Sequence, residues 1–341
     1  MSYFKSIVES DESGVFIIAE ACDNHMGSLD MAKSLARAAK YAGANAVKFQ
    51  HHLVEEEMRD NQLSSSNFSE PLHVFLKRNS LTLDDHVQLK KFCDEIGIIY
   101  LCTPFSYKAA VEIEHLVPFY KIGSGEFQDY WFLDKLFLHE KPVIVSSGMS
   151  TEDEIVSWYR RYNRYKDRIA ILNTLSEYPP ILDDMNLKFI ARLKSIVDDC
   201  VVIGHSDHSQ TSFTSVLAVS MGAEIIEKHL TLSHFVYGPD KDVSLNVEEF
   251  KVMVNDVRQT RKTLGKEKII HTGERDIRKW AYRSVVYSRD LKSGSQVSLE
   301  DIKTKRPGDG EFLSTDYELL LGKVLIKDVK ANDQAQKVDY E

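Results

Sequence analysis

The chain has 341 residues, enough for one large domain and a small one, and its apolar fraction of 43% suits an ordinary globular core. A formal net charge of −9 speaks against a general nucleic-acid binder, although an acidic chain can still hold an anionic metabolite in a local cluster of cations. The first residues carry acids rather than a basic leader, and no apolar run nears the ~20 residues of a membrane span, so a soluble, cytoplasmic protein without a membrane partner is expected.

Short β-rich runs recur along the chain at 15–20, 46–50, 97–104, 119–125, 142–148, 169–176, 201–207 and 224–230. Amphipathic stretches of helical period separate them, notably 28–42, 84–96, 151–162, 187–197 and 211–221, the first with Ser28 as N-cap and Gly43 just past its end. Alternating strand and helix predicts a parallel sheet, and eight strands over ~230 residues predict its closure into a (β/α)₈ TIM barrel, an α/β fold. A doubly wound sheet would place a glycine-rich turn after the first strand, where the chain instead reads Ala19-Glu20-Ala21-Cys22-Asp23. Residues 55–78 form a long excursion suited to a lid or an oligomer contact. The expected division is a barrel over 1–270, a charged linker over 271–282 and a small β-rich domain over 283–341. Cys22, Cys93, Cys102 and Cys200 show no C-x-x-C pairing and are expected to be reduced.

The predicted strands end in polar chemistry: Glu20; Lys48 and Gln50; Thr103; Lys121 and Ser124; Ser146 and Ser147; Ser176; Ser206 and His208; Glu227 and His229. Because side chains alternate along a strand, Lys48 and Gln50 share a face, as do Ser206 and His208, and Glu227 and His229. Barrels place their active sites at this end. His208 and His229 close adjacent strands, with Asp207 and Glu227 close by, and make a candidate open divalent-metal site suited to Mn²⁺, Mg²⁺ or Co²⁺. Lys48 and Lys121 would point into the same mouth. Either they bind an anion with Thr103, Ser124 and Ser146, or they pair internally with Glu20 or Glu227.

Ile17-Ile18-Ala19-Glu20 followed by Asn24-His25-Met26-Gly27 resembles the opening signature of the N-acetylneuraminate (sialic acid) synthase family. So do Val47-Lys48-Phe49-Gln50, Thr103-Pro104-Phe105, Lys121-Ile122-Gly123-Ser124-Gly125-Glu126, Ser147-Gly148-Met149, Glu177-Tyr178-Pro179, Ser206-Asp207-His208, Glu227-Lys228-His229 and Gly238-Pro239-Asp240. The last segment, with Lys305-Arg306-Pro307-Gly308-Asp309-Gly310 and Leu321-Gly322-Lys323, resembles that family's antifreeze-like (SAF) domain. The resemblance implies a metal held by His208 and His229. It implies phosphoenolpyruvate held by Lys48, Thr103, Lys121, Ser124, Ser146, Ser176 and Ser206, and an acetamido sugar met by Glu20, Gln50, Glu126, Tyr178 and Asp240. Glu20 is then the candidate for proton transfer, and Arg306 reaches the sugar bound by a partner in a swapped homodimer.

Departures from the family pattern lie where the sugar is read: Asp23 where many relatives carry a neutral residue, Asn173-Thr174-Leu175-Ser176, and Val236-Tyr237. The expected reaction joins phosphoenolpyruvate to an open-chain acetamido aldose such as N-acetylmannosamine, giving a nonulosonic acid and phosphate. Its rivals are a synthase for a 2,4-diacetamido-trideoxyhexose of the legionaminate or pseudaminate type, and a non-catalytic sugar-binding protein.

Overall fold

Along each predicted strand, every second residue is apolar near the start and polar near the end, and closing the sheet turns that alternation into layers. The computed structural model describes residues 2–59, 70–265 and 267–340. Its strands are β1 (Phe16–Glu20), β2 (Ala46–His51), β3 (Ile99–Pro104), β4 (Tyr120–Ile122), β5 (Val143–Ser146), β6 (Ile169–Thr174), β7 (Val202–Asp207) and β8 (Ile225–His229). They form one parallel ladder in the order β3-β2-β1-β8-β7-β6-β5-β4, whose end strands β3 and β4 pack together and close the barrel.

The lower interior is apolar: Phe16, Ile18, Ala46, Leu101, Phe119, Ile144, Ala170, Leu172, Val202 and Ile225 form one buried cluster. Gly204 sits among them because a Cβ there would come within 2.5 Å of both Leu172 and the Ile225 carbonyl. The bottom is plugged by α1 (Tyr3–Ser10), whose Phe4 and Val8 join this cluster, with the Phe4 and Phe119 rings edge to face at 5.2 Å. Each such side chain taken from water stabilises the fold by about 1.5–3 kcal/mol. On the opposite faces of the strands, Ile17, Val47, Tyr100, Ile122, Val145, Ile171, Ile203 and Ile226 pack outward with the apolar faces of the surrounding helices. Two residues further along each inward row the barrel turns polar, and that layer is the candidate site.

The helices fall within two residues of the predicted stretches. Leu29–Ala42 starts on Ser28, whose Oγ accepts the Met31 N–H, and ends at Gly43 with φ +90°. Val247–Leu264 is not among the expected elements, although Asn246 and Glu249 provide its capping box. Residues 60–69, inside the expected excursion, lie outside the described residues, while its flanks form helices at Val54–Glu57 and Leu72–Asn79. No helix among the described residues is long and apolar enough to cross a membrane.

The chain divides into two compact units, Met1–Gly265 and Lys266–Glu341. The second opens with a helix, Thr272–Ala281, over the range predicted as a linker. It continues through the antiparallel pair β9 (Ser284–Tyr287) and β10 (Ile302–Lys305) around its own core of Val285, Tyr287, Leu291, Val297, Phe312, Leu320 and Tyr340.

Candidate active site

Inside the barrel, above the apolar layer, four charged side chains meet. Lys48 pairs with Glu20 and lies 3.7 Å from Glu227, while Lys121 lies 3.3 Å from the same Glu227 carboxylate. All four are buried. Of the two roles open for the lysines, the resting structure therefore contains the internal ion pairs. Strand register produces them: Glu20 sits level with Lys48 on β2 and with His229 on β8, and Glu227 with Ser206 on β7.

The pairing is uneven. Burial pushes the Glu20 carboxyl up to about 7, against the pull of Lys48 and with the repulsion of Glu227. Burial also works against the charge on both lysines; Glu20 and Glu227 outweigh it for Lys48, which is raised, but not for Lys121, which is lowered. Hydroxyls ring the tetrad. Lys48 Nζ donates to Thr103 Oγ1 at 3.0 Å, Lys121 Nζ to Ser146 Oγ at 2.8 Å, and Ser206 Oγ to Glu227 Oε1 at 3.0 Å. Gly148 completes the ring: its N–H donates to Ser124 Oγ, and a Cβ there would lie 2.2 Å from Ser176 Oγ and 2.7 Å from Ser124 Oγ.

The two histidines face one another, ring centroids 5.3 Å apart. His208 Nδ1 donates to the Leu175 carbonyl at 2.7 Å, which leaves Nε2 as the acceptor for the Tyr178 hydroxyl at 3.0 Å; the Tyr178 ring stacks on the imidazole at 4.2 Å. Burial holds His208 down at about 4 and His229 well below its usual value, so both rings are neutral. His229 Nδ1 is buried without a hydrogen-bond partner. A ring nitrogen of His229, the Cys22 sulfur and an Asp240 oxygen lie within 4.8 Å of one another. His208 is not in this group, since its Nδ1 and Nε2 meet Leu175 and Tyr178; the orphaned His229 nitrogen beside the Asp240 carboxylate is the part of the expected donor set that fits a first-row divalent cation. The Cys22 thiol, pushed well up by burial, is the poorest donor of the group. Asn24 fixes the Asp240 loop: its Nδ2 donates to the Leu230 carbonyl at 3.1 Å and its Oδ1 accepts the Asp240 N–H at 3.3 Å. Asp207 does not join this corner. It faces outward, one residue out of phase with Ser206 and His208, and pairs with buried Lys228 at 3.0 Å.

A third corner is acidic. His52 Nδ1 meets Glu57 Oε1 at 2.9 Å and its Nε2 meets Gln50 Oε1 at 3.0 Å, with Asp23 Oδ2 at 3.7 Å. The ring stacks on Phe105 at 4.3 Å. Burial pushes Asp23 up to about 6 and Glu126 up to about 7.

One cavity of about 930 Å³ opens onto all three corners. Its walls include Glu20, Lys48, Gln50, Thr103, Lys121, Ser124, Glu126, Ser146, Ser176, Tyr178, Ser206, His208, His229 and Asp240, while Asp207 and Ser147, also at predicted strand ends, are not among them. Arg306 belongs to the second unit, where its Nε donates to the Ala281 carbonyl at 3.1 Å and its guanidinium lies 5.5 Å from the Trp280 ring centre. The sequence reading missed His52, Glu57 and Phe105. His52 was within reach of it, since 48, 50 and 52 continue one inward row. Glu57 was not, because nothing local ties the helix Val54–Glu57 to the barrel mouth.

Residues 35–269 match the NeuB family and residues 282–341 the SAF domain. The chain is 34% identical to the pseudaminic acid synthase of Campylobacter jejuni (serotype O:2), covering 96% of this chain and 97% of that one. It is 35% identical to the N,N'-diacetyllegionaminic acid synthase of Legionella pneumophila, covering 86% of each. The crystal structure of an N-acetylneuraminic acid synthetase from Leptospira borgpetersenii, in complex with citrate, superposes with a TM-score of 0.71 at 32% identity, over 77% of this chain and 90% of that one.

Proposed function

The chain belongs to the NeuB family of sialic-acid-type synthases and ends in a SAF domain, and from that premise we propose that it condenses phosphoenolpyruvate with an open-chain acetamido sugar. The products are a nonulosonic acid and inorganic phosphate. The observation that carries this reading is the single cavity in which a lysine pair with a ring of hydroxyls adjoins two facing, neutral imidazoles.

Lys48 and Lys121, with Thr103, Ser124, Ser146, Ser176 and Ser206, hold the phosphate and carboxylate of phosphoenolpyruvate. Glu227 is shared by both lysines, so neither has a carboxylate wholly to itself at that position, and charge-assisted bonds to an anion complete the set. His208 and His229, with Asp240 beside them, hold a divalent ion, Mn²⁺ first with Mg²⁺ and Co²⁺ as alternatives. Bound there, such an ion supplies Lewis-acid polarisation of the sugar aldehyde. Gln50, Glu126 and Tyr178 orient the acceptor. The enol carbon of phosphoenolpyruvate forms the new bond to the aldehyde carbon, and water adds to the cationic centre left behind. The C–O bond to phosphate then breaks. Glu20, raised to about 7 beside this centre, is placed to move the proton or to stabilise the cation.

The relatives named for pseudaminic and legionaminic acids favour an acceptor with two nitrogen substituents, a trideoxyhexose, over N-acetylmannosamine. The test is incubation with phosphoenolpyruvate, Mn²⁺ and a panel of acetamido sugars, with product mass and released phosphate as readouts. Turnover of phosphorylated sugars alone would overturn the reading.

A further inference from the structure

The acidic corner gathers three carboxyl groups, Asp23, Glu57 and Glu126, around one histidine at the cavity wall. His52 has an acceptor on each ring nitrogen, the Glu57 carboxylate on Nδ1 and the Gln50 amide oxygen on Nε2. The Gln50 orientation is fixed independently, because its Nε2 donates to Glu20 Oε1 at 3.4 Å. A ring that must donate from both nitrogens is an imidazolium, so His52 carries one positive charge. Glu57 takes up that charge directly at 2.9 Å, and the charge is 3.7 Å from Asp23.

Two further carboxyl groups, Asp23 and Glu126, face the same cation without a hydrogen bond to it, and burial raises them to about 6 and about 7, so a cationic ligand would draw both into the charged form. Asp23 Oδ1 and Glu126 Oε2 are both buried and accept no hydrogen bond. The His25 Nε2 is 3.6 Å from Asp23 Oδ1, beyond hydrogen-bond reach, and His25 is held neutral by burial. Asp23 is only 5% exposed, yet its side chain forms part of the cavity wall, as Glu126 does. A carboxyl in a cavity wall with one oxygen already buried and unbonded is costly to ionise unless the ligand brings donors to it, and a cationic donor returns the most. A neutral acetamido group would offer one N–H and set its own carbonyl against the carboxylates.

We propose that Asp23, with Glu126 across His52, forms a specificity subsite for a positively charged nitrogen on the acceptor sugar, a primary amine remote from the reacting aldehyde. The inference rests on the synthase reading and narrows its acceptor to one whose second nitrogen is unacetylated. Phe105 supports the subsite by holding the His52 ring face-on, and the apolar side chains of Met58, Leu72 and Leu76 in the cavity wall meet the deoxygenated part of the sugar.

A matched pair tests it: 2-acetamido-4-amino-2,4,6-trideoxyhexose against its 2,4-diacetamido counterpart, on the full-length wild type and on Asp23→Asn. The substitution keeps volume and removes charge, and turnover of the diacetamido sugar by the variant reports that it is folded. The wild type should prefer the amine by roughly tenfold or more in kcat/KM, and Asp23→Asn should bring the ratio close to one with the KM for phosphoenolpyruvate unchanged. Calorimetric titration of each sugar is run in parallel and needs no turnover. If neither sugar consumes phosphoenolpyruvate but the amine binds the wild type better than Asp23→Asn, the synthase reading falls and the subsite stands. Equal binding of the two sugars, or an amine preference that survives in Asp23→Asn, overturns the subsite; so does failure of the amine to bind.

Discussion

Converting Glu227 to Gln would remove the one carboxylate that two buried lysines share. At an effective dielectric of ~20, its attractions to Lys121 at 3.3 Å and Lys48 at 3.7 Å are about 5 and about 4.5 kcal/mol. Against them stand the repulsion from Glu20 and the cost of burying the carboxylate, several kcal/mol per ion. The net loss should therefore fall near the 3–5 kcal/mol seen when one member of a buried pair is removed. For a unit of this size, that lowers the melting temperature by at least about 6 °C. Urea denaturation followed by circular dichroism gives the free energy. Two companions locate its origin. Ser206→Ala removes only the hydrogen bond to Glu227 and should cost about 1 kcal/mol. Adding Lys121→Met to Glu227→Gln removes the stranded charge, and the pair should show a coupling of about 1.5 kcal/mol or more. A Glu227→Gln protein within ~0.5 kcal/mol of wild type would refute the shared-carboxylate account, since surface-like screening alone gives so small a value.

Lys48→Ala and Lys121→Ala should each weaken phosphoenolpyruvate binding by about 1.5–3 kcal/mol in calorimetry, and unchanged affinity in both would leave the lysines a purely internal role. His229→Ala should lose Mn²⁺ binding, read by metal analysis after dialysis, while melting within a few degrees of wild type; retained metal would move the ion elsewhere. Gly148→Ala, whose methyl meets Ser176 and Ser124, should raise the KM for phosphoenolpyruvate more than that for the sugar, and a purely sugar-side effect would contradict the phosphate assignment. For the swapped dimer implied by family resemblance, mixing Arg306→Ala with His208→Ala chains should restore roughly a quarter of wild-type activity after subunit exchange, because about half the dimers are mixed with one working site each; two inactive variants that stay inactive would rule it out.

How much of this was legible beforehand follows from which interactions are local. The period-two rows 16-18-20, 46-48-50 and 225-227-229 are properties of single strands, so the sequence alone separates an apolar lower layer from a polar mouth and puts Glu20, Lys48, Glu227 and His229 in it. The same rule applied one residue out of phase removes Asp207 from the metal corner, where proximity in sequence to His208 had placed it. What single strands do not carry is the register between them. That Glu227 lies between two lysines, rather than beside one, depends on β8 pairing with both β1 and β7, and on the reach of Lys121 across the barrel from β4. The acidic corner is further still from local inference. It needs the turn after β1 for Asp23, the residue beyond β2 for His52, a helix outside the barrel for Glu57 and the loop after β4 for Glu126. Four separate segments supply this one corner; resemblance marked Asp23 and Glu126 singly as lying near the sugar, but nothing local joined them to each other or to His52 and Glu57. Barrels of this kind carry their chemistry at strand ends and their selectivity in loops, which is why the reaction class was within reach of the sequence while the proposal of a charged acceptor needed the loops seen together.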